Sequence, residues 1–254
     1  MPFTFAHIGY VVPIKRRWAE KFSFSGLLFG SIAPDYDILF RFTNNRQHIF
    51  DYDFACVFFI VLPLAFFSLV GFHLICQRII LQMIPNNLRV YWKSFLTIDV
   101  TSYLKNNFIK IIFSIIFAIY LHLILDFICH VLDAHTVYLM IFALTNSIFV
   151  AQIFYYMAIY FVPIILSILG FYLLYKYAAP EYKIMSNYVL TKKQFQFWFF
   201  VAITMCLFTL AKYLLTQREA NFAIDFIIIT LTSAFIFSIF FCCLIYQFIL
   251  AKNE

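Results

Sequence analysis

Three polar residues at a spacing of four stand out in an otherwise apolar stretch of the chain. His122, Asp126 and His130 belong to the run His-Leu-Ile-Leu-Asp-Phe-Ile-Cys-His. In a helix this spacing aligns the three side chains along one stripe, with each step rising about 6 Å. A His and an Asp one turn apart can share a metal ion, whereas His122 and His130, about 12 Å apart, cannot easily do so. Asp126 is therefore the central residue of this candidate site.

Further ligands must come from other segments, because a single helix cannot complete the shell of a zinc ion. The candidates all lie in the N-terminal segment: His7, Asp35, Asp37, His48, Asp51 and Asp53. We expect them to meet the end of the helix that carries Asp126 at one face of the membrane. Asp35, Asp37 or Asp51 is also a candidate general base where it is not a ligand, and the spacing does not choose among them. His73 lies apart, and we interpret it as structural or interfacial.

The composition identifies the environment of the chain. Of its 254 residues, 65% are apolar and 12% are charged, against about 45–50% and about 25% in soluble domains. A soluble fold of this size could not cover its surface with so few charges. With no alternating strand pattern, the chain is predicted to be an all-α integral membrane protein. Its net charge of +6 is typical of membrane loops, so the expected partner is membrane lipid and not nucleic acid.

Long apolar runs predict the transmembrane helices, each of which needs about 20 residues. We predict five spans, with four to six compatible with the pattern: Phe54–Cys76, Ile109–Leu132, Ala151–Tyr175, Gln194–Leu215 and Phe222–Leu250. Val137–Val150 is apolar but short, which favours a re-entrant or interfacial piece. Residues 1–53 are predicted to form a separate, short helical segment packed on one end of the bundle built from residues 54–254.

The six cysteines are predicted to be small apolar fillers, because free Cys is readily buried. They are Cys56, Cys76, Cys129, Cys206, Cys242 and Cys243. No Cys-x-x-Cys pair is present, and adjacent cysteines do not form a ready disulfide. We therefore expect Cys242 and Cys243 to be dispensable.

Several motifs, taken in order along the chain, resemble an uncharacterised family of bacterial membrane proteins, domain of unknown function 4184. The resemblance covers roughly the first 140 residues. It rests on Met-Pro-Phe-Thr-Phe-Ala-His7, Gly30-Ser-Ile-Ala-Pro34-Asp35, His48, Leu62-Pro63-Leu64, Gly71-Phe-His73, Pro85 and the helix from His122 to His130. It implies a multi-pass protein of the bacterial inner (cytoplasmic) membrane.

The pattern of that family is in turn similar to LexA-regulated inner-membrane proteins predicted to be metal-dependent hydrolases, and more distantly to zinc-dependent phospholipases C. The resemblance implies a divalent metal, with zinc expected, and a set of ligands: His7, Asp35, His48, His122, Asp126 and His130. It departs from the phospholipases in lacking a later His-x-x-x-Glu pair, so one or two metal ions are expected and not three. Asp35 and Asp37 are the residues we assign to a catalytic role.

Three functions are compatible with the sequence. The first is a metal-dependent hydrolase acting on a phospholipid-like ester or a lipid-linked substrate at the membrane. The second is an ion or proton transporter that uses His122, Asp126 and His130, since an Asp inside a span costs ~2.5–3.5 kcal/mol to insert and normally marks a site or a proton path. The third is a membrane scaffold whose polar cluster only stabilises helix packing.

Overall fold

A computed structural model shows an all-α integral membrane protein, as the sequence predicts, with helices and no strand in the part of the chain that it describes. That part comprises residues 8–18, 20–40, 53–85, 89, 98–131, 134–156, 165, 168, 169, 172, 191–216 and 224–251. Its helices are α1 (Ile8–Arg17), α2 (Phe24–Ile32), α3 (Tyr36–Phe40), α4 (Phe54–Met83), α5 (Val100–Val131), α6 (Ala134–Thr145), α7 (Ile148–Tyr156), α8 (Lys192–Thr216) and α9 (Ile224–Ala251).

Four of the described helices are long and apolar enough to cross a membrane. These segments are Phe54–Met83, Val100–Asp126, Lys192–Leu215 and Ile227–Ile249. They correspond to the first, second, fourth and fifth predicted spans. Of the third predicted span, the helical piece that ends at Tyr156 and a few later residues are described. The rest of that span lies outside the described residues, and its crossing of the membrane stays a prediction.

The helix that carries the candidate site is longer than its predicted span. α5 begins at Val100, nine positions before the predicted start, because polar residues continue the helix beyond the apolar run. Asp99 caps it, since the Ser102 amide donates to Asp99 Oδ2 at 3.4 Å. The Ser102 hydroxyl, and after it the Ser102 and Thr101 amides, hold the pKa of the Asp99 carboxyl below its usual range. A carboxylate at a helix N-terminus also interacts favourably with the helix dipole.

The short apolar piece after α5 folds into two consecutive helices. α6 ends at Thr145, and Asn146 has a φ of 53°, the left-handed conformation that Asn tolerates better than most residues. The Asn146 amide still donates to the carbonyl of Phe142 at 2.7 Å. Ser147 then begins α7 by accepting from the Val150 amide at 3.4 Å. The turn between the two helices thus follows from local backbone chemistry.

The chain divides into two compact units. The first comprises Met1–Asp35, Tyr52–Ala65 and Ile109–Leu174, and the second comprises Tyr36–Asp51, Phe66–Phe108 and Tyr175–Glu254. In the first unit, α1 and α2 pack on α5 through a buried cluster of Val11, Phe22, Leu27 and Ala118. The amphipathic N-terminal pieces therefore use their apolar faces to cover α5.

Two glycines allow α2 to approach α5 at backbone distance. A Cβ atom at Gly30 would lie 2.5 Å from the carbonyl oxygen of Ile115, and one at Gly26 would lie 2.8 Å from Ser114 Cβ. Neither distance is sterically possible for a real side chain. Gly26 and Gly30 are four residues apart and face the same helix, which is the arrangement that small residues use to bring membrane helices together.

The second unit has a core in which α4, α8 and α9 meet. Cys76, Met83, Phe197, Val201 and Cys243 are buried in it. The end of α4 is capped by α8: Gln194 Nε2 donates to the carbonyls of Gln82 and Ile84 at 3.2 and 2.9 Å. Trp198 Nε1 donates to the carbonyl of Met83 at 2.9 Å. The carbonyls at the end of a helix have no intrahelical donor, and in this protein the neighbouring helix satisfies them.

The five cysteines that the structure describes are free thiols. Four are buried and Cys206 is exposed. Cys242 and Cys243 are fully buried among apolar neighbours in the second unit. This placement agrees with a filler role, whereas their dispensability stays a prediction.

Candidate functional site

The candidate site forms where the segment after α2 meets α5 in the first unit. α2 ends at Ile32 and continues as a 3₁₀ turn over Ala33–Asp35. Proline lacks an amide hydrogen and disfavours continuation of the α-helix at the residue before it, so Pro34 ends the regular helix there. The turn carries Asp35 to His122, which lies near the end of α5. Asp126 approaches the same ring from one helical turn further along α5.

The His122 ring is held at both nitrogens. Its Nδ1–H donates to the carbonyl oxygen of Ser31 at 2.6 Å. Its Nε2 lies 3.2 Å from Asp126 Oδ2 and 3.6 Å from Asp35 Oδ1. The His122 side chain is 1% exposed, that of Asp35 is 6% and that of Asp126 is 22%. Asp126 therefore stands at the open side of the group and the other two are enclosed.

The contacts of Nε2 need a proton or a cation between this atom and the carboxylates. Because Nδ1 carries the hydrogen that Ser31 accepts, Nε2 of a neutral His122 has only its lone pair. That lone pair and two carboxylates would then repel one another in a poorly solvated site. A proton shared between Nε2 and a carboxylate, or a bound cation, removes the repulsion, so the geometry is suited to proton handling or to metal binding.

The donors fit part of a metal site. A histidine ligand commonly donates its second ring N–H to a backbone carbonyl, which fixes its orientation, and the Ser31 carbonyl has that role here. Two ligands about 2.1 Å from one tetrahedral zinc ion are about 3.4 Å apart, and the distances from His122 Nε2 to the two carboxylates are 3.2 and 3.6 Å. Within the described residues, however, no group of three or more His, Cys, Asp and Glu side chains has the arrangement of a metal site. His122, Asp35 and Asp126 therefore fit an incomplete set of metal ligands.

The other residues predicted for the site have different placements. Asp37 is buried in α3, which belongs to the second unit. Asp53 caps the start of α4 by accepting from the Cys56 amide at 2.7 Å, so its carboxylate has a structural role. His130 lies within α5, but its side chain is outside the described part. His7, His48 and Asp51 lie outside the described residues, and their roles stay predictions.

Two features of the site were not predicted from the sequence. The Ser31 acceptor is a backbone carbonyl, so no residue type marks it. The other feature is the close approach of α2 and α5 at Gly26 and Gly30. The spacing of these glycines, Gly-x-x-x-Gly, is itself a recognised signal for close approach of two membrane helices, and it could have indicated where α2 meets α5.

His73 has a structural environment in the second unit. It is buried, and its Nδ1–H donates to Gln77 Oε1 at 2.7 Å. The Gln77 amide nitrogen in turn donates to the carbonyl of Ile98 at 2.7 Å. The imidazole also makes an edge contact with the Tyr103 ring, with 6.1 Å between centroids. These contacts agree with the structural interpretation of His73.

Comparison with known families identifies the chain by its sequence. Residues 1–247 match the family described as domain of unknown function DUF4184. The match covers nearly the whole chain, and the protein belongs to this family. No curated protein and no solved structure matches the chain. The predicted similarity to metal-dependent hydrolases is therefore not part of what the comparisons show.

Proposed function

We propose that this member of the DUF4184 family is a metal-dependent hydrolase that acts at the membrane on a phospholipid-like ester or a lipid-linked substrate. The observation that carries the proposal is the orientation of His122. One ring nitrogen is engaged by the Ser31 carbonyl and the other faces two carboxylates. A histidine that only fills space in a helix bundle has no need of two acids at one nitrogen.

Each residue of this group has a distinct task in the proposal. Ser31 holds the tautomer in which His122 Nε2 carries the lone pair that a metal ligand needs. Asp35, almost fully enclosed, supplies a carboxylate from a second segment of the chain. Asp126 is partly exposed and is thus the group able to exchange a proton with water or substrate. A divalent cation held here would polarise an ester oxygen and promote ionisation of water.

Further ligands are proposed from the family resemblance. His7, His48 and His130 are the residues assigned to this role, and zinc is the expected metal. The catalytic role of Asp37 stays a prediction from its residue type. The proposed location is the inner (cytoplasmic) membrane of a bacterium. A lipid-like substrate is favoured because the site belongs to a helix that is apolar enough to cross the membrane.

A proton relay is the second candidate, and the same geometry favours it. Asp35, His122 and Asp126 form a chain of titratable groups in contact, and membrane transporters use such chains for protons. A scaffold function would need neither metal nor proton exchange. The three functions therefore differ in what the purified protein binds and moves.

The deciding experiment measures the metal content of the full chain purified in detergent, together with its hydrolysis of fluorescent phosphatidylglycerol with and without added zinc. We expect about one or two metal ions per chain, hydrolysis that a chelator abolishes, and loss of both in a His122→Ala/Asp126→Ala double variant. Asp99→Asn is the matched control, because it removes one exposed carboxylate from the start of the same helix.

Metal-free protein that hydrolyses nothing, even with added zinc, would contradict the hydrolase proposal. Proton uptake by proteoliposomes that depends on His122 would then favour the relay. If the double variant has the same metal content and proton uptake as the intact protein, the scaffold function is favoured.

A further inference from the structure

The turn between α1 and α2 packs against α5 at a defined level. The Phe22 ring lies 4.8 Å from the Phe117 ring and 5.6 Å from the Phe113 ring, measured between centroids. The Ser23 amide donates to Ser114 Oγ at 2.8 Å. Ser114 Oγ donates in turn to the Lys110 carbonyl at 2.6 Å. These contacts hold the turn beside the residues of α5 that follow Lys110.

Basic residues concentrate at this level. Lys15 donates to the Phe22 carbonyl at 2.9 Å, which keeps its ammonium group at the turn. Burial lowers the pKa of Lys15, and the nearby charge of Lys110 lowers it further. Arg17 and Lys21 are exposed. We refer to Lys15, Arg17, Lys21 and Lys110, with Trp18, as the basic turn. Glu20 is the one carboxylate among the described residues 15–21, so positive charge exceeds negative charge there.

The basic turn lies where the uncharged part of α5 begins. The eleven residues of α5 between Lys110 and His122 contain no charged side chain, which is typical of the part of a span that lies in the hydrocarbon. Trp18 is 41% exposed, and the Arg17 guanidinium lies 5.9 Å from the centre of its ring. Trp and basic side chains together are typical of the headgroup level of a bilayer.

We propose that the basic turn binds the headgroup phosphate of an anionic phospholipid. Positive charges gathered at the headgroup level are complementary to an anion, and lipid phosphate is the anion present at that level. A lipid is favoured over a soluble anion because Phe113, next to the turn, is 55% exposed on the hydrocarbon side of Lys110. Its ring offers an acyl chain a contact directly below the phosphate.

This lipid site is separate from the proposed catalytic site. Lys110 and His122 are twelve residues apart on one helix, which is about 18 Å along its axis. A phosphate held at the basic turn is therefore too far from His122 to be the group attacked in the proposed catalytic site. Its binding does not depend on metal at His122, so the two proposals succeed or fail independently.

The test counts the lipids that the full chain retains, by native mass spectrometry after extraction from bilayers of equal phosphatidylglycerol and phosphatidylcholine content. We expect preferential retention of phosphatidylglycerol by the intact protein. An Arg17→Gln/Lys21→Gln variant should bind phosphatidylglycerol roughly fivefold more weakly for each cation removed, since a basic residue near an anionic surface contributes about 1 kcal/mol. Both residues are exposed, so the variant retains the packing of the turn.

Two controls separate charge from other effects. A Lys192→Gln/Lys193→Gln variant removes two exposed lysines at the start of α8 and should retain phosphatidylglycerol as the intact protein does. The exchange Arg17→Lys/Lys21→Arg should restore binding, because it conserves the charges. Equal retention of the two lipids by the intact protein would overturn the proposal. So would a loss of phosphatidylglycerol from the α8 variant as large as the loss from the Arg17→Gln/Lys21→Gln variant.

A second measurement locates the lipid. Brominated phosphatidylglycerol should quench tryptophan fluorescence more strongly than brominated phosphatidylcholine, and a Trp18→Phe variant should lose this difference. Inorganic phosphate tests for an anion site without lipid. If phosphate alone stabilises the protein against heating as much as phosphatidylglycerol does, the assignment to a lipid is wrong.

Discussion

His122 and Ser31 are separated by 91 positions in the chain, yet the imidazole Nδ1–H of one donates to the backbone carbonyl of the other at 2.6 Å. This hydrogen bond joins the end of α2 to α5 and turns the Nε2 atom toward Asp35 and Asp126. The orientation of the candidate site therefore depends on how closely two helices pack.

The closest contact between α2 and α5 is at Gly30, and Gly30→Ala should push the helices apart. The added Cβ would meet the carbonyl oxygen and Cα of Ile115 at 2.5 and 2.8 Å, and backbone atoms cannot move aside as a side chain can. We expect a loss of about 1–3 kcal/mol in the free energy of unfolding, the usual cost of overpacking. Metal retention should fall as well, because the Ser31 carbonyl moves with α2. Thermal unfolding and metal analysis of the same samples measure the two effects.

Gly71→Ala is the matched control for that substitution. Its added Cβ would have Phe240 Cε2 as its nearest neighbour at 4.0 Å, an ordinary van der Waals contact. Ala also favours the helix over Gly by up to about 1 kcal/mol, so Gly71→Ala should leave stability unchanged or raise it. A Gly30→Ala variant as stable as Gly71→Ala would show that α2 and α5 do not pack as described.

Metal retention should depend on both carboxylates beside His122 and on pH. Asp35→Asn and Asp126→Asn each keep the size of the side chain and remove its charge, and we expect each to weaken zinc binding by about 100-fold or more, since even outer-shell partners contribute 10–100-fold. Because ligands bind metal in their deprotonated forms, retention by the intact protein should fall as the pH is lowered. Equilibrium dialysis against zinc over a pH series provides the measurement. Zinc binding that is unaffected by either Asn variant would exclude a metal site at His122.

Alkaline solution should destabilise the protein through Tyr36. Burial raises the pKa of the Tyr36 phenol to about 12, from about 10 in an unfolded chain. Below pH 10 the phenol is protonated in both states, and its contribution to stability is fully present. Above pH 10 the unfolded chain binds fewer protons, so this group lowers the free energy of unfolding by about 1.4 kcal/mol per pH unit until the folded-state pKa is reached.

The Tyr36→Phe variant has no phenol to ionise at this position. Its free energy of unfolding should therefore fall less steeply over the same pH range. The comparison uses denaturant unfolding of the two proteins in one detergent at pH 9, 10 and 11. The variant starts from a lower stability because it lacks the hydrogen bond between Tyr36 and Ser68. Parallel stability curves for the two proteins would contradict a buried, protonated Tyr36.

Cys242 and Cys243 should be replaceable by Ala without loss of fold or activity. Both are fully buried, and Cys242 Sγ lies 3.4 Å from Thr204 Oγ1. Removing two sulfur atoms from a packed core should cost roughly 1–3 kcal/mol in stability. Loss of activity in a folded double-Ala variant would assign these thiols a role beyond packing.

Local patterns were sufficient for the membrane class, the helical fold and part of the site. Hydropathy located the spans that correspond to α4 and α5, because a membrane helix must present apolar side chains over about 20 residues. The contact between His122 and Asp126 follows from the helical period, which places residues four apart on one face. Both features depend on residues close together in the sequence, and so they can be predicted from it.

The rest of the site depended on how separate helices pack. Asp35 and Asp37 are two residues apart and chemically identical, yet the 3₁₀ turn at Pro34 brings Asp35 to His122 and Asp37 belongs to α3 in the other unit. The Ser31 carbonyl has no signature in the sequence, because all residues share the same backbone carbonyl and differ only in their side chains. Only the tertiary structure decided these contacts, since they are set by steric fit between α2 and α5 over long chain separations.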